Sequence, residues 1–384
     1  MKNPKKTIII NEVASTSGGG VAILTQLLSE LKDNSITYSY NWIVFVSTDI
    51  FDKYETVHIQ IIKIDIKKWR ERLIWDTFGI KKWLSKKDIK PVLGISLMSV
   101  GIKYLEIPQV VYIQQSLPFS GYSGFKNFEW KPILYNYLIF KWMEFTISKK
   151  TNIVVQTHWL KKAVSQKLNI PDEKIIILRP SVSQLNIKNT IDRKIKNKFK
   201  EYSYKLFCPG LPVISYKNYE LIIKSIGLLK RNQPVLAEKI SLIFTFKPSP
   251  ENQLARYYQK IAKEENIDQN IVWHGECSNA EMVNLYLNSD AILFPSLVES
   301  FGLPLIEASS LGKKIFAIDK PYSKNVLKGY KGVSFLKNDT KMWYESLSNF
   351  YSRKENFSFH SEELSNGDWS KFVNLIHSLA SYKN

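Results

Sequence analysis

One pattern repeats along this sequence and constrains the fold more than any other. A short run that is apolar at every position is followed by a longer segment with helical spacing. TIIINEVAS precedes GGGVAILTQLLSELKD and NIVVQT precedes HWLKKAVSQKL, with NWIVFVS, PVLGISL and QVVYIQQ as further runs in the first half. The second half repeats it: YKLFCPG before NYELIIKSIGLLKR, KISLIFTF before PENQLARYYQKIAKEE, NIVWHG before NAEMVNLYLNS, AILFPS before LPLIEASSLG, and KIFAID before a short helix. Strands apolar on both faces are covered on both sides, which is how parallel sheets are built. Strands alternating with helices of about 10–15 residues specify βαβ units. The expected fold class is α/β, with doubly wound, Rossmann-like sheets.

The alternation breaks between Asn186 and Tyr204, where NIKNTIDRKIKNKFKEYSY is polar and basic. With 384 residues, two domains are the expected division. The reading is a first domain over 1–186, a second over 204–365, and a last helix over 366–384 that packs back across the junction. Two such domains bind a ligand in a cleft at the carboxyl ends of their strands.

Composition excludes several classes. Only two cysteines occur, Cys208 and Cys277, with no CxxC, and the five histidines form no ligand pair. That argues against a disulfide scaffold or a zinc site and for a reducing compartment. MKNPKKTIIINEVAS reads as a first buried strand, not a secretory signal. No run of about twenty apolar residues suggests a membrane span. The net charge of +19 fits a solvated lysine-rich surface, a polyanionic partner or an anionic membrane. Nucleic acid is not expected, because no zinc finger, RRM-type aromatic motif or KH loop accompanies the charge.

The chemistry is concentrated in FPSLVESFGLPLIEASSLG, residues 294–312. AILFPS reads as a buried strand, and Pro304 suits the first turn of a helix. Glu299 then lies in a strand-to-helix loop and Glu307 about one turn into the helix. The N–H groups of Ser300, Phe301, Gly302 and Leu303 form a helix N-terminus suited to phosphate, and Gly302 permits close backbone approach. The plainer alternative is that Glu307 complements the helix dipole and Glu299 is a solvated loop residue.

E-S-F-G-L-P-x-x-E-A after an apolar strand resembles the E-x7-E motif of the GT-B glycosyltransferases of family 4. The resemblance implies that Glu307 binds the nucleotide ribose, that Glu299 orients the donor sugar, and that the amides of Ser300 to Leu303 contact sugar and diphosphate. STSGGGVAILTQLL resembles the family's glycine loop, with Gly19 and Gly20 facing the donor phosphate. PGLPVISYKNYELIIKSI resembles the segment whose lysine, here Lys217, neutralises the diphosphate. An arginine usual shortly before that lysine is replaced by Val213, Ile214 and Ser215, so Lys247 in FTFKPSP or Arg179 in ILRPSV is a candidate substitute. VVYIQQSLPFS places Gln114 and Gln115 where many relatives carry a histidine. IVWHGECSNAEMVNLYLNSD resembles the segment leading to the nucleotide-base pocket.

The expectation is a retaining glycosyltransferase with Glu299 and Lys217 as catalytic residues. Its substrates would be a nucleotide sugar and a glycan or polyprenyl-linked acceptor, in synthesis of a bacterial surface polysaccharide such as O-antigen or capsule. No cofactor is expected, and no metal, because no DxD pair is present. A nucleotide-sugar hydrolase or epimerase, or a non-catalytic binding protein, is the alternative. Residues 67–90, KKWRERLIWDTFGIKKWLSKKDIK, interleave lysines with Trp69, Trp75, Trp83, Leu73, Ile74 and Phe78. That pattern suits an interfacial helix on anionic lipid or a core helix with a basic face. With the resemblance, the expected location is cytoplasmic, peripheral on the inner face of the bacterial membrane.

Overall fold

The structure is a computed structural model that describes residues 5–16, 18–66, 68–181, 203–353 and 367–381. Residues 186–202 of the polar connection, and Lys67 at the head of the basic segment, lie outside the described residues.

The first sheet contains β1 (Lys6–Glu12), β2 (Tyr40–Val46), β3 (Ile59–Lys63), β4 (Pro91–Ser96), β5 (Gln109–Tyr112), β6 (Asn152–Val155) and β7 (Ile175–Ile177). Its order is β3-β2-β1-β4-β5-β6-β7, and its pairs are parallel. The second contains β8 (Tyr204–Cys208), β9 (Ile240–Phe244), β10 (Ile271–Trp273), β11 (Ala291–Phe294), β12 (Lys314–Ile318) and β13 (Val333–Leu336). Its order is β10-β9-β8-β11-β12-β13, again parallel. Each sheet grows outward from its first strand in both directions. The order therefore reverses between β1 and β4 and between β8 and β11, where an open parallel sheet leaves a crevice at its carboxyl edge.

Continuous apolarity has the expected cause. Ile8 and Ile10 of β1 enter one core and Ile9 the other, and all three are fully buried. The period of two along a strand sends alternate side chains to opposite faces, so both must be apolar. One face is closed by the helix Gly18–Asp33, through Leu24, Leu27, Leu28 and Leu31, and by the C-terminal helix Trp369–Ser381. Trp369 stacks on Tyr112 of β5 with centroids 6.4 Å apart, and Phe372, Val373 and Ile376 continue the same core.

The chain divides into two compact units. The first takes in residues up to Gly121, Leu134–Ser181 and the C-terminal helix; the second takes in Tyr122–Ile133 and the described residues 203–353. The sequence places residues 122–133 in the first domain, but their partners are in the second unit. Lys126 pairs with Glu220 at 2.7 Å and buried Glu129 accepts a hydrogen bond from the Ser215 N–H at 2.7 Å.

The basic segment 69–86 is two short helices, Trp69–Ile74 and Ile80–Lys86, joined by a π turn over Trp75–Gly79. The wider turn offsets the faces on either side of it. The tryptophans do not all face outward: Trp75 and Trp83 turn inward, edge-on to Phe45 at 5.2 and 5.1 Å, while Trp69, Ile74 and Phe78 are exposed. Lys81, Lys82, Lys86 and Lys87 point to solvent. A second apolar surface lies on the helix Trp130–Thr146, where Leu134, Tyr135, Tyr137, Leu138 and Phe145 are exposed. Lys103 sits 4.0 Å above the Phe145 ring, and the neighbouring Tyr104 stacks on Phe78 at 5.5 Å.

Candidate functional site

Two connections leave the switch point of the second sheet. After β8 the chain forms a 3-10 turn, Ser215–Lys217, then the helix Tyr219–Asn232. After β11 it forms the loop 295–302, then the helix Leu303–Ser310. β8 and β11 are neighbours, so these connections lie side by side. They are laced together by consecutive residues. The Leu297 N–H donates to the Tyr216 carbonyl at 2.8 Å, the Asn218 amide donates to the Pro295 carbonyl at 3.2 Å, and Lys217 Nζ donates to Glu299 Oε1 at 2.6 Å. The two predicted residues are thus an ion pair, with side chains only 20% and 15% exposed. Burial disfavours the Lys217 charge, but the Glu299 carboxylate, followed by the Tyr216 hydroxyl, outweighs it and holds the ammonium above its ordinary value.

Gly302 caps the helix Leu303–Ser310 at φ +89°, a conformation that suits glycine, and Pro304 follows in the first turn. Phe301 is buried and anchors the loop, so its ring is not presented to solvent. The Tyr322 hydroxyl donates to the Ser296 carbonyl and fixes the strand end of the loop. Glu307 stands one turn into the helix and accepts a hydrogen bond from the Tyr286 hydroxyl at 2.7 Å. Burial raises its pKa and the Tyr286 bond opposes the rise. The Tyr286 hydroxyl was not legible as a partner, because it lies on a separate helix, Asn279–Asn288.

A cavity of about 850 Å³ opens beside these connections, at the carboxyl ends of β8, β9 and β10. Phe246, Lys247, His274 and Glu276 line it, as do Phe128 and Glu129 from the segment 122–133. Lys247 therefore belongs to this cavity, its stem beside Gly275. Arg179 lies in the first unit, where its guanidinium pairs with Asp368 at 3.2 Å.

The glycine segment also lies in the first unit. The helix already begins at Gly18, so the glycines form its first turn and not a separate loop. A Cβ on Gly19 would meet nothing within 4 Å, whereas one on Gly20 would strike Ser15 and come within 3.2 Å of Glu12 Oε1. Gly19 therefore leaves open space at the helix N-terminus, and Gly20 is required by packing. Glu12, which sequence reasoning did not single out, closes β1 with 1% exposure. Burial pushes its pKa up to about 8, against the opposing Ser15 bond and Arg72 charge. Asp76 beside it is also buried, accepts from the Asn11 amide at 2.8 Å and faces Arg72 at 3.5 Å.

Comparison with solved structures supports the architecture directly. WaaG, a glycosyltransferase involved in lipopolysaccharide biosynthesis, superposes with a TM-score of 0.66 at 13% identity, covering 97% of this chain and 95% of that one. Anabaena Alr3699/HepE, solved in complex with UDP and glucose, gives 0.63 at 10% identity, with 97% and 95% covered. The fold is GT-B. Residues 188–358 match the family model of the glycosyl transferases group 1. The O-antigen chain mannosyltransferase RfbU of Salmonella typhimurium is 20% identical over 235 residues, 61% of this chain. That match spans 60% of the relative's length. The group 1 match contains both site connections of the second unit, from Ser215 to Glu307.

Proposed function

We propose that this GT-B chain transfers a sugar from a nucleotide-sugar donor, with retention, to a glycan or polyprenyl-linked acceptor in surface-polysaccharide synthesis. The carrying observation is the Lys217–Glu299 pair, held at a topological switch point beside the N-terminus of the helix Leu303–Ser310. The group 1 match and the likeness to an O-antigen mannosyltransferase support the reaction class. The UDP complex of a structural neighbour supports a nucleotide diphosphate as part of the donor.

In the proposed step the acceptor oxygen forms a bond to the anomeric carbon. The bond from that carbon to the diphosphate oxygen breaks, and the nucleoside diphosphate leaves with the electron pair. The acceptor proton passes to a donor phosphate oxygen. Charge grows on the leaving diphosphate, where Lys217 and the amides of Ser300 to Leu303 act on it. Glu299 orients the sugar hydroxyls and Glu307 holds the ribose. Gly19 and Gly20, in the first turn of the helix Gly18–Asp33, are proposed to bind the donor phosphate. With a lysine and helix N-termini for the diphosphate, the step is proposed to proceed without a metal. The exposed aromatic and basic residues of the first unit are proposed to rest on an anionic membrane, where a lipid-linked acceptor resides.

The test is transfer from a panel of nucleotide sugars to a polyprenyl-linked acceptor in excess EDTA. Transfer with retained anomeric configuration is the expected result, and Glu307→Ala should weaken binding of the bare nucleotide by roughly 1.5–3 kcal/mol. Free sugar released at the same rate without acceptor would establish a hydrolase instead. A strict requirement for a divalent cation would overturn the metal-free step.

A further inference from the structure

The segment 122–133 interrupts the first unit in sequence and groups with the second, its last four residues opening the helix Trp130–Thr146. Its bonds converge on the turn that carries Lys217. Glu129, 4% exposed, accepts the Ser215 N–H on Oε1 at 2.7 Å and the Lys126 N–H on Oε2 at 2.6 Å. The Tyr122 hydroxyl lies 3.0 Å from Ser215 Oγ, which also bonds the Gly124 carbonyl at 3.2 Å. Farther along, Lys126 reaches Glu220, in the first turn of the helix that follows Lys217, and Tyr257 donates to the same carboxylate at 2.9 Å. Glu220 is held down to about 2: burial works against this, and hydrogen bonds from Lys126, Lys224 and Tyr257 overcome it.

Ser215 opens the 3-10 turn and Lys217 ends it, and Lys217 holds Glu299 on the other side. A buried carboxylate on an N-terminal N–H is a charge-assisted bond to the first donor of the turn, about twice as strong as a neutral one. We propose that Glu129 is a positioning residue: a strap from the N-terminal half of the sequence caps the Ser215–Lys217 turn and sets Lys217 for the diphosphate. The inference rests on the donor-site reading above. It adds a residue that lies outside the group 1 match, which begins at 188. Glu129 acts through the turn, because both of its carboxylate oxygens are already engaged by backbone donors.

The test uses the full chain and two readouts. Amide exchange over Val213–Asn218 is measured without ligand, and affinities for uridine and guanosine diphosphates and monophosphates are measured by calorimetry. Glu129→Ala is expected to speed exchange of those amides and to weaken diphosphate binding, each about tenfold, with monophosphate affinity and exchange in β9 and β10 unchanged. Glu129→Gln retains an acceptor for Ser215 and should restore most of the diphosphate affinity. Unchanged exchange across the turn overturns the capping role. Faster exchange with unchanged diphosphate affinity reduces Glu129 to a structural residue and also overturns the proposal. Loss of protection in β9 and β10 marks an unfolded variant. The decision then passes to Tyr122→Phe, which should show the same changes about threefold and overturns the proposal if it shows none. A parent protein that binds neither nucleotide form overturns the donor-site reading itself, and is distinguished because the parent, not the variant, fails.

Discussion

At the scale of single residues, Lys217 and Glu299 matter as a pair. Each is mostly enclosed, so removing one leaves the other charge without its partner. Lys217→Ala is therefore expected to act twice. Turnover should fall on the order of a hundredfold, the usual cost of removing one preorganised group aimed at developing charge. Stability should fall by about 1–3 kcal/mol, because a partly buried carboxylate loses its donor. Adding Glu299→Gln should recover much of the stability and none of the turnover. Urea unfolding and steady-state kinetics on the two variants separate these effects. Near-normal turnover in Lys217→Ala would move the role to another cation, with Lys247 in the adjoining cavity the first to examine.

At the scale of elements, the end of β1 carries a pH dependence. Glu12 closes the strand beneath the first turn of the helix Gly18–Asp33, and burial raises its pKa from 4.5 to about 8. The sign follows from where the proton sits. Above about pH 4.5 the unfolded chain gives up this proton, while the folded chain keeps it up to about pH 8. The folded state then binds more protons, so stability falls as pH rises through that window, by up to about 1.4 kcal/mol per pH unit. Glu12→Gln, which holds a similar shape without titrating, should flatten the midpoint of urea unfolding between pH 5 and 8. An unchanged slope would show that the carboxyl titrates normally. Raised carboxyls at Asp76 and Glu307 act in the same direction, so the flattening is expected to be partial.

At the scale of the whole molecule, the net charge of +19 and the exposed apolar residues of the first unit invite a common test. No helix among the described residues is long and apolar enough to cross a membrane. Lysines near an anionic surface contribute about 1 kcal/mol each, and the effect fades within a Debye length. Association with anionic vesicles is expected to fall steeply with salt and to be much weaker on neutral vesicles. Replacing Lys81, Lys82, Lys86 and Lys87 with glutamate should release the chain while leaving nucleotide affinity intact, since the nucleotide contacts are proposed mainly in the other unit. Leu134→Ser with Leu138→Ser should weaken the residual, salt-resistant part. If both variants sediment with anionic vesicles as the parent does, the membrane reading fails.

Much of this protein was determined by local sequence. Continuously apolar runs specify strands covered on both faces, and their alternation with helices specifies two parallel sheets. The loop from Glu299 to Gly302 and the helix start at Leu303, with Pro304 in its first turn, were legible because glycine and proline act on their own backbone. Other features depend on which side chains meet, and spacing along the chain does not report that. The Tyr286 hydroxyl on Glu307 joins two helices, and the Lys217–Glu299 pair joins connections 82 residues apart. The inward turn of Trp75 and Trp83 depends on a π turn that offsets two helical faces, which a single helical period does not reveal. Most of all, the segment 122–133 reads locally as part of the first domain. Only tertiary packing assigns it to the second, because Glu129 accepts from a backbone donor 86 residues away.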